Sequence, residues 1–141
     1  MKKEKMVDYR DVLEALEKVN ELDFIQLASS FGGRGEKAWE LLKESRVKLY
    51  VFWPSGRVVW VVVGKDHEYI IYPVVGYCSC LDFYFAVMKG NALVCHHLIA
   101  QRLAEILGWY DLIVEEDRLY HSLMEEWKKI ETEEVKQSVV Q

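Results

Sequence analysis

Cys78-Ser79-Cys80 and Cys95-His96-His97 place three thiols and two imidazoles in two tight groups, with residues 81–94 between them. Thiolates and neutral imidazoles are the donors that zinc takes in tetrahedral sites, at about 2.3 Å for sulfur and about 2.0 Å for nitrogen. A Cys-x-Cys pair at the end of a strand can aim both sulfurs at one point. Cys95 and the histidines after it fall where a helix opens. There the unpaired N–H groups and the positive end of the helix dipole favour a thiolate. Adjacent helical residues point about 100° apart, so one histidine reaches the metal; the Cys-x-His spacing selects His97 and leaves His96 beside it. A set made of Cys78, Cys80, Cys95 and His97 takes every position from the protein. It leaves none open for water or substrate, which marks a structural zinc rather than a hydrolytic one. Taken singly, each cysteine reads as a small buried hydrophobe and His97 as a core histidine. The pairing carries the metal reading. His67 and His121 have no second ligand near them in sequence.

These residues need elements to hold them. Apolar residues recur at helical spacing from Asp8 to Leu27, and Ser29-Ser30-Phe31-Gly32-Gly33-Arg34-Gly35 breaks that pattern with a helix-to-helix turn. Ala38, Trp39, Leu41 and Leu42 then line a short amphipathic helix. Val47–Trp53 and Arg57–Val63 read as strands joined through Pro54-Ser55-Gly56, and Tyr69–Val75 as a third, with Pro73 arguing for a sheet edge. Val58–Val63 is apolar on both faces and needs cover on both, from the chain or from a partner. Leu81–Met88 reads as a short helix and Cys95–Leu107 as a longer one ended by Gly108. From Asp117 a last helix carries Leu119, Leu123, Trp127 and Ile130 on one stripe, and the pattern fades after Glu131. The expected fold is α+β: N-terminal helices, a small antiparallel three-stranded meander, a zinc knuckle at about residues 76–100 leading into a helix, and a C-terminal amphipathic helix. The 141 residues suit one domain.

Composition narrows the function. A net charge of −5, from 18 basic against 23 acidic residues, disfavours avid binding of the isolated chain to phosphate backbones. The basic start, Met1-Lys2-Lys3-Glu4-Lys5, runs into an amphipathic acidic stretch unlike a signal peptide, and no apolar run is long enough to span a bilayer. Three cysteines in such a chain point away from disulfides, to thiols that are buried, catalytic or metal-bound, and their spacing decides between these. The expected location is the cytoplasm of a prokaryote or archaeon, or the nucleus of a eukaryote. Enrichment in Lys and Glu with few amides leans toward a thermophilic host.

The Cys78-x-Cys80…Cys95-x-His97 pattern resembles the SWIM zinc-binding domain. Tyr77-Cys78-Ser79-Cys80-Leu81-Asp82-Phe83, Cys95-His96-His97-Leu98-Ile99-Ala100, the Pro54-Ser55-Gly56-Arg57 hairpin and the Phe31-Gly32 break also look like the small SWIM-domain subunit of the Shu complex, over roughly residues 24 to 108. Leu81 stands where that family often has proline. The resemblance implies a non-catalytic adaptor that binds a paralogue of the RecA-type recombinase and supports homologous recombination and DNA repair. DNA would be contacted only within such a complex.

Two other functions fit parts of the pattern. Lys43, Arg46, Lys48 and Arg57 could line a basic strip beside stacking aromatics, making the chain a direct single-stranded nucleic-acid module. Cys95 with His96 or His97 as base could form a reactive thiolate, which requires Cys78 and Cys80 to be bystanders.

Overall fold

The computed structural model describes residues 32–84, 89–90 and 95–129. The helix expected over 8–27, the end of the one expected over 81–88 and the tail after 131 lie outside the described residues. Elements run in the order α1 (Gly33–Lys43), β1 (Val47–Trp53), β2 (Arg57–Val63), β3 (Glu68–Tyr72), β4 (Tyr77–Cys78), α2 (His96–Leu107) and β5 (Asp111–Glu116). A 3₁₀ turn at Asp117–Leu119 then leads into helix α3, seen over 120–129. The class is α+β, as the sequence predicts.

The meander is present and larger than expected: five strands in the order β4-β3-β2-β1-β5. Neighbours from β1 to β4 are antiparallel, and β5 lies parallel to β1, Leu112 opposite Leu49 and Val114 opposite Val51. Both extra strands hide for a physical reason. Two residues, as in β4, are too few to show alternation. β5 holds only Leu112, Ile113 and Val114 as apolar residues among acids, and long-range pairing with β1 decides its state. The third strand is also shorter than predicted. Residues 73–76 form a turn, with Gly76 N–H donating to the Pro73 carbonyl at 3.3 Å, and β4 covers the flank of β3 that Pro73 suggested was an edge. The glycine break is shorter too, since Gly33 to Gly35 already belong to α1.

Strand alternation divides the core into two layers. Val47, Trp60, Val62, Ile71 and Cys78 face α1 and α2, where Ala38, Leu42, Leu98, Ile99 and Leu103 close over them. Phe52, Val59, Val61 and Ile70 face the other way, onto Met124 and Trp127 of α3. The two-faced apolarity of Val58–Val63 is thus largely met by the chain itself. Trp127 closes the second layer twice over, with its ring edge-on to Tyr50 at 5.0 Å and its indole N–H donating to Glu68 at 2.6 Å. On the first layer, Trp39 meets Trp109 at 5.7 Å and Trp60 meets Tyr110 at 4.9 Å, which ties the α2–β5 connection to α1 and the sheet. No helix among the described residues is long and apolar enough to cross a membrane.

Phe52 is fully buried beneath α3, on the sheet face opposite the cysteines. Phe52→Ala should therefore cost about 3–5 kcal/mol in urea unfolding. Metal content per folded chain should stay unchanged, and a parallel loss of metal would show that the two layers do not separate as described.

Candidate metal centre

The knuckle grows out of the sheet. Cys78 is the last residue of β4 and pairs with Ile71. Beyond it the ladder continues for one more residue by exchanging a backbone partner for a hydroxyl. Ser79 N–H donates to the Ile70 carbonyl at 3.1 Å, and Ile70 N–H donates to Ser79 Oγ at 3.0 Å. Ser79 is buried and doubly held, so the thiols flanking it have little freedom. Past Cys80 the chain makes a short helical turn at 81–84, in which Phe83 N–H donates to the Cys80 sulfur at 3.3 Å and Tyr84 N–H to the Cys80 carbonyl at 3.2 Å. An N–H aimed at sulfur stabilises the thiolate form.

The other two ligands come from α2. Cys95 is its N-cap residue, in extended conformation, and His97 lies in its first turn. The predicted helix start is therefore right to within one residue, and Gly108 ends the helix in the left-handed region at φ 71°.

One ligand atom each from Cys78, Cys80, Cys95 and His97 lies within 4.8 Å of the others, and all four residues are buried. Zinc bonds of about 2.0–2.3 Å would set neighbouring ligand atoms roughly 3.5–3.8 Å apart, so closure needs about one ångström of movement at most. His97 Nδ1 is buried without a hydrogen-bond partner, an otherwise costly state that a ligand set or its supporting shell would relieve. The donor set thus fits zinc. His96 is not part of the group; it is half-buried and lines clefts with Lys37 on the outer side of the centre. Among the described residues no other such group forms, and His67 and His121 stand apart.

The electrostatics match. Hydrogen bonding from the Cys78 and Cys95 thiols holds the Cys80 thiol far below its usual range. Burial pushes the Cys78 and Cys95 thiols up. Three buried thiols this close together resist ionising together, and a bound dication would supply the charge that lets all three do so. Burial, and then the neighbouring His97, bring His96 down to about 4.

Sequence reasoning missed Arg34 and Asp82. Arg34 forms a two-pronged pair with Asp82, Nε to Oδ2 at 2.9 Å and Nη2 to Oδ1 at 2.7 Å, pinning the start of α1 to the turn just after Cys80. The bond to Asp82 raises the Arg34 pKa, and the Cys95 and Cys80 sulfurs add to it. The sulfurs thus share the field of an arginine whose own charge is answered first by Asp82. Its only signal in the sequence was an arginine inside a glycine-rich stretch. The predicted basic strip, by contrast, is partly neutralised. Arg46 pairs with Glu44, Lys48 pairs with Asp111, and the Arg57 guanidinium stacks over Tyr120.

An Archaeoglobus fulgidus protein named only as uncharacterized is 45% identical over 87 residues, 62% of this chain and 67% of its own length. A Dictyostelium discoideum zinc finger SWIM domain-containing protein 7 homolog is 38% identical over 85 residues, 59% of this chain and 54% of its own. The mouse zinc finger SWIM domain-containing protein 7 is 34% identical over 109 residues, 75% of this chain and 71% of its own. The chain belongs to the SWIM-type zinc finger family. No family model and no solved structure matches this SWIM protein. Its alignments leave between about a third and a half of the first two relatives unmatched.

Cys80→Ser and His97→Ala should each lower bound zinc from near one equivalent, read by elemental analysis, and should speed hydrogen exchange over residues 76–84 and 95–100. The amides of β1 and β2 should stay protected. Full zinc retention by both variants would dissolve the site. In an NMR titration the His96 ring should remain neutral as pH falls from 7 to about 5, because its folded pKa lies near 4. As only the unfolded chain binds that proton in this range, stability from keeping His96 neutral falls progressively as pH drops from about 6.5 to about 4. A midpoint near 6.5 would show that the ring is not shielded as the structure has it.

Proposed function

We propose that this SWIM protein is a non-catalytic zinc-binding adaptor that binds a RecA-family recombinase paralogue and supports homologous recombination and DNA repair. The observation that carries the zinc half is the buried quartet of Cys78, Cys80, Cys95 and His97. All four donors are protein side chains shielded from solvent, so a metal held there orders the knuckle against α2 and offers no free face for substrate. The same packing speaks against Cys95 as a nucleophile, since it is buried between two other thiols with its own thiol pushed up by that burial.

The recombination half rests on the likeness of the knuckle, the Pro54–Arg57 hairpin and the start of α2 to the small SWIM subunit of the Shu complex. Relatives bearing the SWIM zinc finger name in slime mould and mouse support the zinc-binding module itself. A protein partner is favoured over nucleic acid by the net charge of −5 and by the acid pairing of Arg46 and Lys48.

Co-expression with recombinase paralogues from the same host is the test. The zinc-loaded chain should copurify with one of them in stable proportion, and Cys80→Ser should lose that capture along with its metal. Absence of any such complex, with salt-sensitive binding of the isolated chain to single-stranded DNA at moderate ionic strength, would move the function to the nucleic-acid class.

A further inference from the structure

The adaptor reading leaves open where a partner sits, and the sheet contains an unused surface away from the metal. β5 forms one edge of the sheet, with no described strand on its outer side. On the face that carries α1 and α2, Leu112 and Val114 of β5 are 59% and 63% exposed, Trp53 of β1 is 67% exposed and Val58 of β2 is 56% exposed. Register makes these neighbours: Val58 pairs with Val51 and Val51 with Val114, while Leu112 follows on the same face opposite Leu49. The two helices cover the sheet over Val47, Trp60 and Val62 and stop short of this end. What remains is a contiguous exposed apolar strip across three strands, and the largest such patch on a folded chain is often functional.

The strip is held rigid. Ser55, in the β1–β2 turn, donates to Asp117 through both its backbone N–H, at 2.9 Å, and its hydroxyl, at 2.6 Å, so the turn is tied to the chain just after β5. Edge strands are commonly blunted by charge. Here acids stand only at the two ends, Asp111 before the apolar residues and Glu115-Glu116-Asp117 after them. Lys48 pairs with Asp111 and Arg118 with Glu116, so two cations answer four acids and the rim stays negative. A second copy of the chain would add its β5 antiparallel and set acidic ends against acidic ends, which costs energy. A segment with the opposite rim would not.

The geometry points to β5 as a docking edge for an extended partner segment, alternating apolar residues in its middle and Lys or Arg at its ends, which adds a sixth strand and lays its apolar side chains beside Leu112 and Val114, extending the strip that Trp53 and Val58 continue across β1 and β2. Main-chain hydrogen bonds along the edge supply affinity, and the apolar strip with its acidic rim supplies selection. This rests on the adaptor reading for its biological setting and on β5 alone for its chemistry.

A short fluorescent peptide of alternating valines flanked by lysines, offered to the full zinc-loaded chain, is the probe. It should bind, its glutamate-flanked counterpart should not, and raised salt should weaken the complex. Hydrogen exchange should slow at residues 111–116. Val114→Glu, at an exposed position remote from the cysteines, should keep zinc and fold yet weaken peptide binding at least about tenfold. Equal binding of both peptides, or an unaffected Val114→Glu variant, overturns the proposal. So does protection of β5 that grows with dimer in sedimentation, which assigns the edge to a second copy, or protection already complete in the dilute chain, which assigns it to the chain's own remaining segments. Capture of a recombinase paralogue separates the two ideas. If Val114→Glu captures as well as the parent chain, the surface is wrong and the adaptor stands; if the parent captures none while the peptide results hold, the adaptor is wrong and the surface stands.

Discussion

Two stretches of backbone separated by residues 81–94 must bring four donor atoms to one buried point, and most of the fold can be understood as the means of doing so. A lone Cys-x-Cys pair on a mobile loop would scatter its sulfurs. Here the first pair is an extension of the sheet, because Ser79 replaces a missing strand partner with its hydroxyl and locks both flanking cysteines relative to Ile70. The second pair belongs to a helix start, whose geometry is set as soon as α2 docks on Trp60, Val62 and Ile71. Precision at the centre is therefore borrowed from the sheet and from helix packing.

The surroundings supply what the donors lack. Three thiolates around a dication would carry one surplus negative charge, and the opening of α2, with Cys95 as its N-cap residue, lies where its positive end can offset part of it. The Tyr69 ring leans on His97 at 4.6 Å and limits its rotation. Tyr69 in turn has its place only because residue 64 is glycine, since a Cβ there would come within 2.8 Å of that ring. A turn between two strands thus restrains a ligand on a helix through one intervening aromatic ring.

The donor set was legible in the sequence because metal chemistry restricts residue types and spacing so strongly that Cys78, Cys80, Cys95 and His97 stand out without knowledge of the fold. Helix geometry admitted one histidine, and the Cys-x-His spacing picked His97, which is the one that stands with the three cysteines. Strands β1 to β3, α1 and α2 were legible from apolar periodicity and from Gly108. The parts that escaped depend on contacts distant in the chain. Arg34 and Asp82 are 48 residues apart, and nothing local in either announces the pair. β5 is a strand because β1 offers a free edge, and Ser79 looks like filler between cysteines until Ile70 is seen opposite. Pro73 misled because it was read as marking an edge within a strand, whereas it ends β3 and opens the turn to β4.

The parallel pairing of β5 with β1 has a consequence for how the chain assembles. Strands β1 to β4 follow one another through tight turns and can zip up as they emerge, but Lys48 and Asp111 meet across 63 residues. Loop closure of that length is slow to nucleate in an open chain. Once Cys95 and His97 are drawn to the end of β4, the span left to close shrinks to α2 and a short connection. A metal bound at the knuckle would thereby act as a clasp that turns the last and most distant strand addition into a local event, and its influence would fall on the rate at which the far edge of the sheet is sealed.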